Sequence, residues 1–288
     1  AAAKLGAAAM LVRSVGGARF RLPHTGATRF DDKGPKIPAA AVTVEDALLI
    51  ERLSAKGPVT MTLTVTPQTL PDADSYNVIA DWPGRDKPDE VVVLSGHLDS
   101  WDLGTGAIDD GAGVASAMGA LSVLKSQGLR ARRTIRLVAY MNEENGSRGS
   151  RAYFDANKGS IEKQIAAIES DAGAGLPLGL HANVTLGSIK RLEALTDALR
   201  PIGASVLKRS DRPVGADIAP LSLAGVPGFE PLLDTRHYFD YHHTAADTLD
   251  KVEPDHLRRQ VAVMTTLAWW LAEAPEPLER LPVEKAGE

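Results

Sequence analysis

The chain has 288 residues, 44% apolar and 24% charged, so it can bury a full core and is neither disordered nor fibrous. A net charge of -5, with Arg130 to Arg133 as the only basic cluster, excludes the basic face that a nucleic-acid partner requires, and a solvated corner accounts for that cluster. The absence of cysteine excludes thiolate metal sites, disulfides and cysteine nucleophiles, and no apolar run approaches the roughly 20 residues of a membrane helix, so no membrane partner is expected.

The chain opens as AAAKLGAAAMLVRSVGG, without an initiator methionine and already running from a helix into a strand, and it reads as a piece of a longer protein. AMLVRSVG, IPAAAV and VTMTLTVTP predict short strands from their β-branched content and alternation. TVEDALLIERLSAKG predicts a helix between the last two, with Thr43 as N-cap and Gly57 as its stop. The aperiodic stretch from Gly16 to Pro38 predicts a long loop, and residues 1–68 together a small, incomplete β-rich domain.

From residue 69 onward strands and helices alternate. Strands are predicted over Asn77 to Asp81, Glu90 to Ser95, Thr134 to Met141, Ile165 to Ser170, Ser205 to Lys208 and Gly228 to Leu232. Helices are predicted over Gly111 to Gln127, Ser147 to Asn157, Ser188 to Arg200 and Pro254 to Glu273. Near-continuous apolar runs such as VVVLS and IRLVAYM require a sheet covered on both faces, hence an α/β fold with a mostly parallel, mixed sheet sandwiched by helices. Met264, Leu267, Trp269, Trp270 and Leu271 on the last helix read as packing residues.

In such sheets the ligand site lies outside the carboxyl ends of the strands. Standing there are His97 and Asp99 after the VVVLSG strand, Asp109 and Asp110 in the loop beyond, Glu143 and Glu144 after IRLVAYMN, and Asp171 after IAAIES. YFDYHHTAADT adds His242, His243 and Asp247. Each has a bland reading: DDG is turn chemistry, a lone histidine is usually hydrogen-bonded structure, and EE or HH is often mere surface. Taken together, the bland readings leave an acid-lined cavity with no counterion, which is costly. Histidines with several carboxylates and no cysteine suit zinc, cobalt or manganese, and the carboxylates outnumber what one zinc ion uses, so two ions bridged by a carboxylate and a water are expected.

The strings GHLDSWDLGTGAIDDGAG, MNEENGSRGS, ESDAG and YHHTAADT, in this order, resemble the co-catalytic dizinc aminopeptidase family, nearest to its plasma glutamate carboxypeptidase (carboxypeptidase Q) branch and bacterial relatives. The resemblance implies that His97 and Asp171 bind one zinc, Glu144 and His243 the other, and that Asp109 bridges them. It implies Glu143 as general base, Asp99 as the carboxylate orienting His97, and His242 or Tyr241 as the group that polarises the tetrahedral oxygen. Residues 1–68 then resemble part of a protease-associated domain, and 69–288 the catalytic domain without its N-terminal portion. The implied activity is hydrolysis of dipeptides or short peptides with a free N-terminus, in a secreted or periplasmic protein that dimerises. Asp217 is a pocket candidate, and Arg236 and Arg148 are candidates for meeting a product carboxylate. Two rival readings stand beside this one: a noncatalytic member of the fold, and a dinucleotide-dependent enzyme suggested by GAGVAS from Gly111.

Overall fold

The computed structural model describes residues 2–31 and 33–283. The N-terminal part holds a two-stranded parallel sheet, β1 (Met10–Arg13) with β2 (Ala39–Val42), followed by helix α1 (Val44–Ser54). Thr43 caps α1 as its sequence predicts, its hydroxyl accepting from Asp46 N at 3.0 Å. The strand predicted over Val59 to Pro67 is not formed. That segment alternates correctly but lies exposed and pairs with nothing, and a strand without a ladder leaves its backbone to water.

The main sheet has seven strands: β3 (Val78–Trp82), β4 (Lys87–His97), β5 (Arg133–Tyr140), β6 (Gln164–Glu169), β7 (Pro177–Asn183), β8 (Val206–Ser210) and β9 (Gly228–Leu233). Their spatial order is β3-β5-β4-β6-β9-β7-β8, with β5, β4, β6 and β9 mutually parallel, β3 antiparallel to β5, and the parallel pair β7 and β8 running against β9. The helices are α2 (Ala112–Ser126), α3 (Arg148–Asn157), α4 (Ile189–Leu199), α5 (Ala219–Leu223), α6 (Tyr238–Tyr241) and α7 (Pro254–Glu273).

Alternation along β4 explains the layering. Val92 and Leu94 face a core shared with Ala117 and Leu124 of α2, Leu192 and Leu195 of α4, and Met264 and Leu267 of α7. Val91 and Val93 face the other side, against Tyr153 of α3 and Leu221 of α5. Trp269 and Trp270 pack on the first core, as expected of packing residues. By length and composition alone, Ala107–Ser126 is apolar enough to cross a bilayer, contrary to the reading from sequence; half of it is buried, and α2 packs on β4, β5 and α7 as a core helix. Arg133 is also not solvated: it is fully buried, donating to Glu90 and to the main-chain oxygen of Ala274.

The four parallel strands end on one edge. Chain order runs β4, β5, β6, with β5 and β6 on opposite sides of β4, so the direction of winding switches at β4 and a crevice opens beyond its end.

Candidate metal centre

His97 is the last residue of β4, Glu143 and Glu144 follow β5, Asp171 follows β6, and the loop after β9 carries His242 and His243. Parallel register therefore delivers these side chains to one point. Asp109 and Asp110 arrive from a wide turn, Ala107–Gly111, in which both residues leave helical dihedrals (φ −131°, ψ 91° and φ −130°, ψ 37°).

Around Asp109 the donors fall into two sets. Its Oδ1 lies 3.0 Å from His97 Nε2, which is 3.4 Å from Asp171 Oδ1. Its Oδ2 lies 3.2 Å from His243 Nε2, which is 2.9 Å from Glu144 Oε2. Two donors on one tetrahedral zinc at ~2.0–2.1 Å stand about 3.3 Å apart, so both sets have the spacing of ligands sharing an ion. Tautomers support the same fit. His97 Nδ1 faces the main-chain oxygen of Asp99 (2.8 Å) and His243 Nδ1 that of Thr25 (3.1 Å), so the ring proton belongs there. Each Nε2 is then a lone pair facing carboxylate oxygens, an arrangement that calls for a cation between them. A buried Glu144 oxygen, Oε1, also lacks any donor.

Protonation follows the same logic. Burial alone disfavours a charged His97, yet its contacts with Asp109 and Asp171 push its pKa far upward. His243 reaches about 9 because Asp109 and Glu144 outweigh its burial. Burial opposes ionisation of Asp109, but three imidazoles hold its pKa well down. Glu143 rises to about 7, through burial and then the charge of Asp171.

Several carboxylates at the site bind main-chain N–H groups instead. Asp110 accepts from His97 N (3.0 Å) and Gly113 N (3.1 Å), so although it groups with His97 and Asp171, its oxygens are engaged. This also closes the start of α2 to a phosphate and removes the dinucleotide reading. Asp99 accepts from Glu143 N (3.0 Å) and Glu144 N (3.2 Å); it orients His97 through its carbonyl, its carboxylate standing 3.8 Å from Nδ1. Asp247 is not at hand as a ligand, since it grips Ile108 N (2.6 Å) and Asp109 N (3.1 Å).

His242 Nε2 reaches Asp109 Oδ2 at 3.0 Å, whereas Tyr241 packs on Phe20 and the small core around Ile108. Asp217 is buried with neither oxygen in a well-formed hydrogen bond, and burial, joined by the charges of Asp171 and Asp99, raises it to about 7 against the opposing pull of Ser150 and His97. Arg236 is committed to Asp234 and exposed. Arg148 pairs with Asp72 on the wall of a cleft of about 1490 Å³ that Asp99, Trp101 and Asn145 also line.

Two residues escaped the sequence reading. Tyr238 packs at a tilt against His242 (4.6 Å between centroids, 48° between planes), and burial among the site carboxylates raises its phenol well above the usual range. His24, from the long N-terminal loop, meets His242 Nδ1 through Nε2 at 2.9 Å, and burial together with two neighbouring imidazoles lowers it to about 4. A lone histidine in an aperiodic loop gave no signal.

The model of Peptidase family M28 matches residues 77–268. Carboxypeptidase Q of Mus musculus is 39% identical over 280 residues, covering 97% of this chain and 59% of the relative, and the Homo sapiens protein is 39% identical over 281. This chain thus spans about three-fifths of the length of these relatives. Among solved structures, a Peptidase M28 precursor of Shewanella amazonensis superposes with a TM-score of 0.90 at 36% identity, covering 98% of this chain and 64% of that one. An aminopeptidase of Aneurinibacillus sp. shares the fold (TM-score 0.62, 23% identity, 98% and 68% covered).

Proposed function

The chain belongs to Peptidase family M28, and from that premise we propose that it carries the catalytic centre of a zinc-dependent exopeptidase acting on dipeptides or short peptides with a free N-terminus. The observation that carries this reading is Asp109, whose two oxygens are divided between two histidine-carboxylate sets, His97 with Asp171 and His243 with Glu144. These five residues would hold two zinc ions. When bound, the ions supply Lewis acidity and bring the pKa of water toward neutrality.

The remaining steps fall to the chain itself. Glu143, raised toward neutrality, accepts the proton of the attacking water and returns it to the departing amine. His242 directs Nε2 at the same centre and donates to the developing oxyanion. The cleft beside Trp101 and Arg148 receives the peptide, with Arg148 rather than Arg236 facing it. On this reading residues 69–288 are the catalytic domain and 1–68 part of a protease-associated domain, in a secreted or periplasmic protein that dimerises.

The test is zinc content by elemental mass spectrometry on monodisperse protein, with turnover of a dipeptide panel before and after chelation. Two equivalents per chain, with turnover lost to chelator and restored by zinc, are expected. Zinc-independent turnover, or no zinc bound at micromolar concentration, would overturn the proposal.

A further inference from the structure

The N-terminal loop is tied to the metal centre at several points. Ser14 Oγ donates to Val42 O (2.7 Å) and accepts from His24 N (2.9 Å), fixing the loop to the small sheet. The main chain of Thr25 accepts from His243 Nδ1 and donates to His243 O (2.7 Å), and its hydroxyl donates to Asp102 O (3.0 Å). Between these ties His24 presents Nε2 to His242 Nδ1 at 2.9 Å, with the rings edge to face at 5.0 Å.

One proton lies in that contact, and its placement decides what His242 can do. If His242 Nδ1 donates to His24, a neutral His242 offers the centre a lone pair, and His24 buries an unpartnered N–H. If His24 Nε2 donates, His242 turns Nε2–H toward Asp109 Oδ2, and what remains buried is the Nδ1 lone pair of His24. Orphaned buried N–H groups are the rarer of the two, so the unpartnered Nδ1 of His24 favours the second arrangement.

We propose that His24 is a positioning residue which, by donating from Nε2, holds His242 as the Nε2–H tautomer and so makes it a hydrogen-bond donor in the reaction centre rather than a metal ligand. The proposal rests on the exopeptidase reading for its catalytic consequence, but not for the tautomer itself. It also gives the N-terminal loop a part in the chemistry, because the loop supplies the donor and brackets the neighbouring ligand.

The experiment uses the full chain labelled with ¹⁵N-histidine, with His242→Asn to assign the ring. Long-range ¹H–¹⁵N spectra are expected to show His242 protonated at Nε2 and bare at Nδ1, with and without zinc. His24→Phe keeps a ring and removes the donor; His24→Gln keeps an amide N–H. His24→Phe should lose the tautomer preference, keep two zinc equivalents, and lower kcat by about 10- to 100-fold with KM within about twofold, less than the ~10²–10³ for deleting an oxyanion donor outright. His24→Gln should recover most of that loss. An Nδ1–H tautomer in the parent chain, loss of zinc in His24→Phe, or an unchanged kcat once the tautomer preference is gone would each overturn the proposal. If the parent chain binds no zinc and cuts no peptide, the exopeptidase reading falls, while the spectra still decide the His24–His242 contact.

Discussion

Replacing Asp247 with asparagine isolates the device that holds Asp109, the proposed bridging carboxylate, in place. Asp247 is 4% exposed and grips two successive main-chain N–H groups, Ile108 N at 2.6 Å and Asp109 N at 3.1 Å. Asn keeps one acceptor and places an NH₂ where the second stood, so one charge-assisted hydrogen bond is lost and one buried N–H is orphaned. Loss of such a bond costs about 1.5–3 kcal/mol, and the orphaned donor accounts for much of that sum. Against it stands the relief of a carboxylate whose burial raises its pKa, which offsets part of the loss. The net expectation is about 2 kcal/mol of destabilisation in urea unfolding of the zinc-free chain, followed by far-UV circular dichroism. Zinc affinity should fall about tenfold or more, since the Asp109 turn is no longer held from below. Asp250→Asn, at an exposed carboxylate three residues on, serves as control and should leave the unfolding midpoint unmoved. A midpoint for Asp247→Asn equal to that of the control, with unchanged zinc affinity, would refute the clamp.

Glu143→Gln should keep two zinc equivalents and lose about 10²–10⁴-fold in kcat, whereas Glu144→Gln should lose zinc; the reverse pattern in elemental analysis would exchange their roles. Glu230 is raised by burial, and then by Asp171, from 4.5 to about 7, so folding takes up a proton there and its contribution is lost as pH climbs from about 4.5 through about 7. Glu230→Gln should therefore shrink the stability difference between pH 5 and pH 8 by about 2 kcal/mol, and parallel pH profiles for the two chains would count against it.

The sequence made the convergence of the candidate ligands legible because parallel strands end on one edge: an apolar run followed by His, Glu or Asp places each side chain without knowledge of strand order. β7 could not be read in this way. Pro177, Gly179, His181 and Asn183 break any strand pattern, and the segment pairs because β8 and β9 flank it. A side chain at Gly179 would fall 1.8 Å from Val206 O, so the residue that obscured the strand is the one that permits the neighbour's approach. The error at Val59 to Pro67 is the converse, since local alternation was correct and the partner strand was missing. His24 and Tyr238 were hidden because their roles come from contacts with His242 that composition and spacing do not encode.

The crowding of acid at the end of β4 resolves into a division of labour that counting carboxylates could not reveal. Asp99, Asp110, Asp247 and Glu169 each accept from a pair of main-chain N–H groups, those of residues 143 and 144, 97 and 113, 108 and 109, and 217 and 218. Every one of these pairs fixes a proposed ligand, the proposed general base, or Asp217. Asp109, Asp171 and Glu144 face imidazole nitrogens and are left to hold a cation. Glu143 and Asp217 both sit near 7, where a carboxyl can take or release a proton without being committed to either state. Reading charge as ligand therefore overcounts: the clamps use their negative charge to hold backbone, and removing one should loosen the centre without deleting any proposed ligand atom.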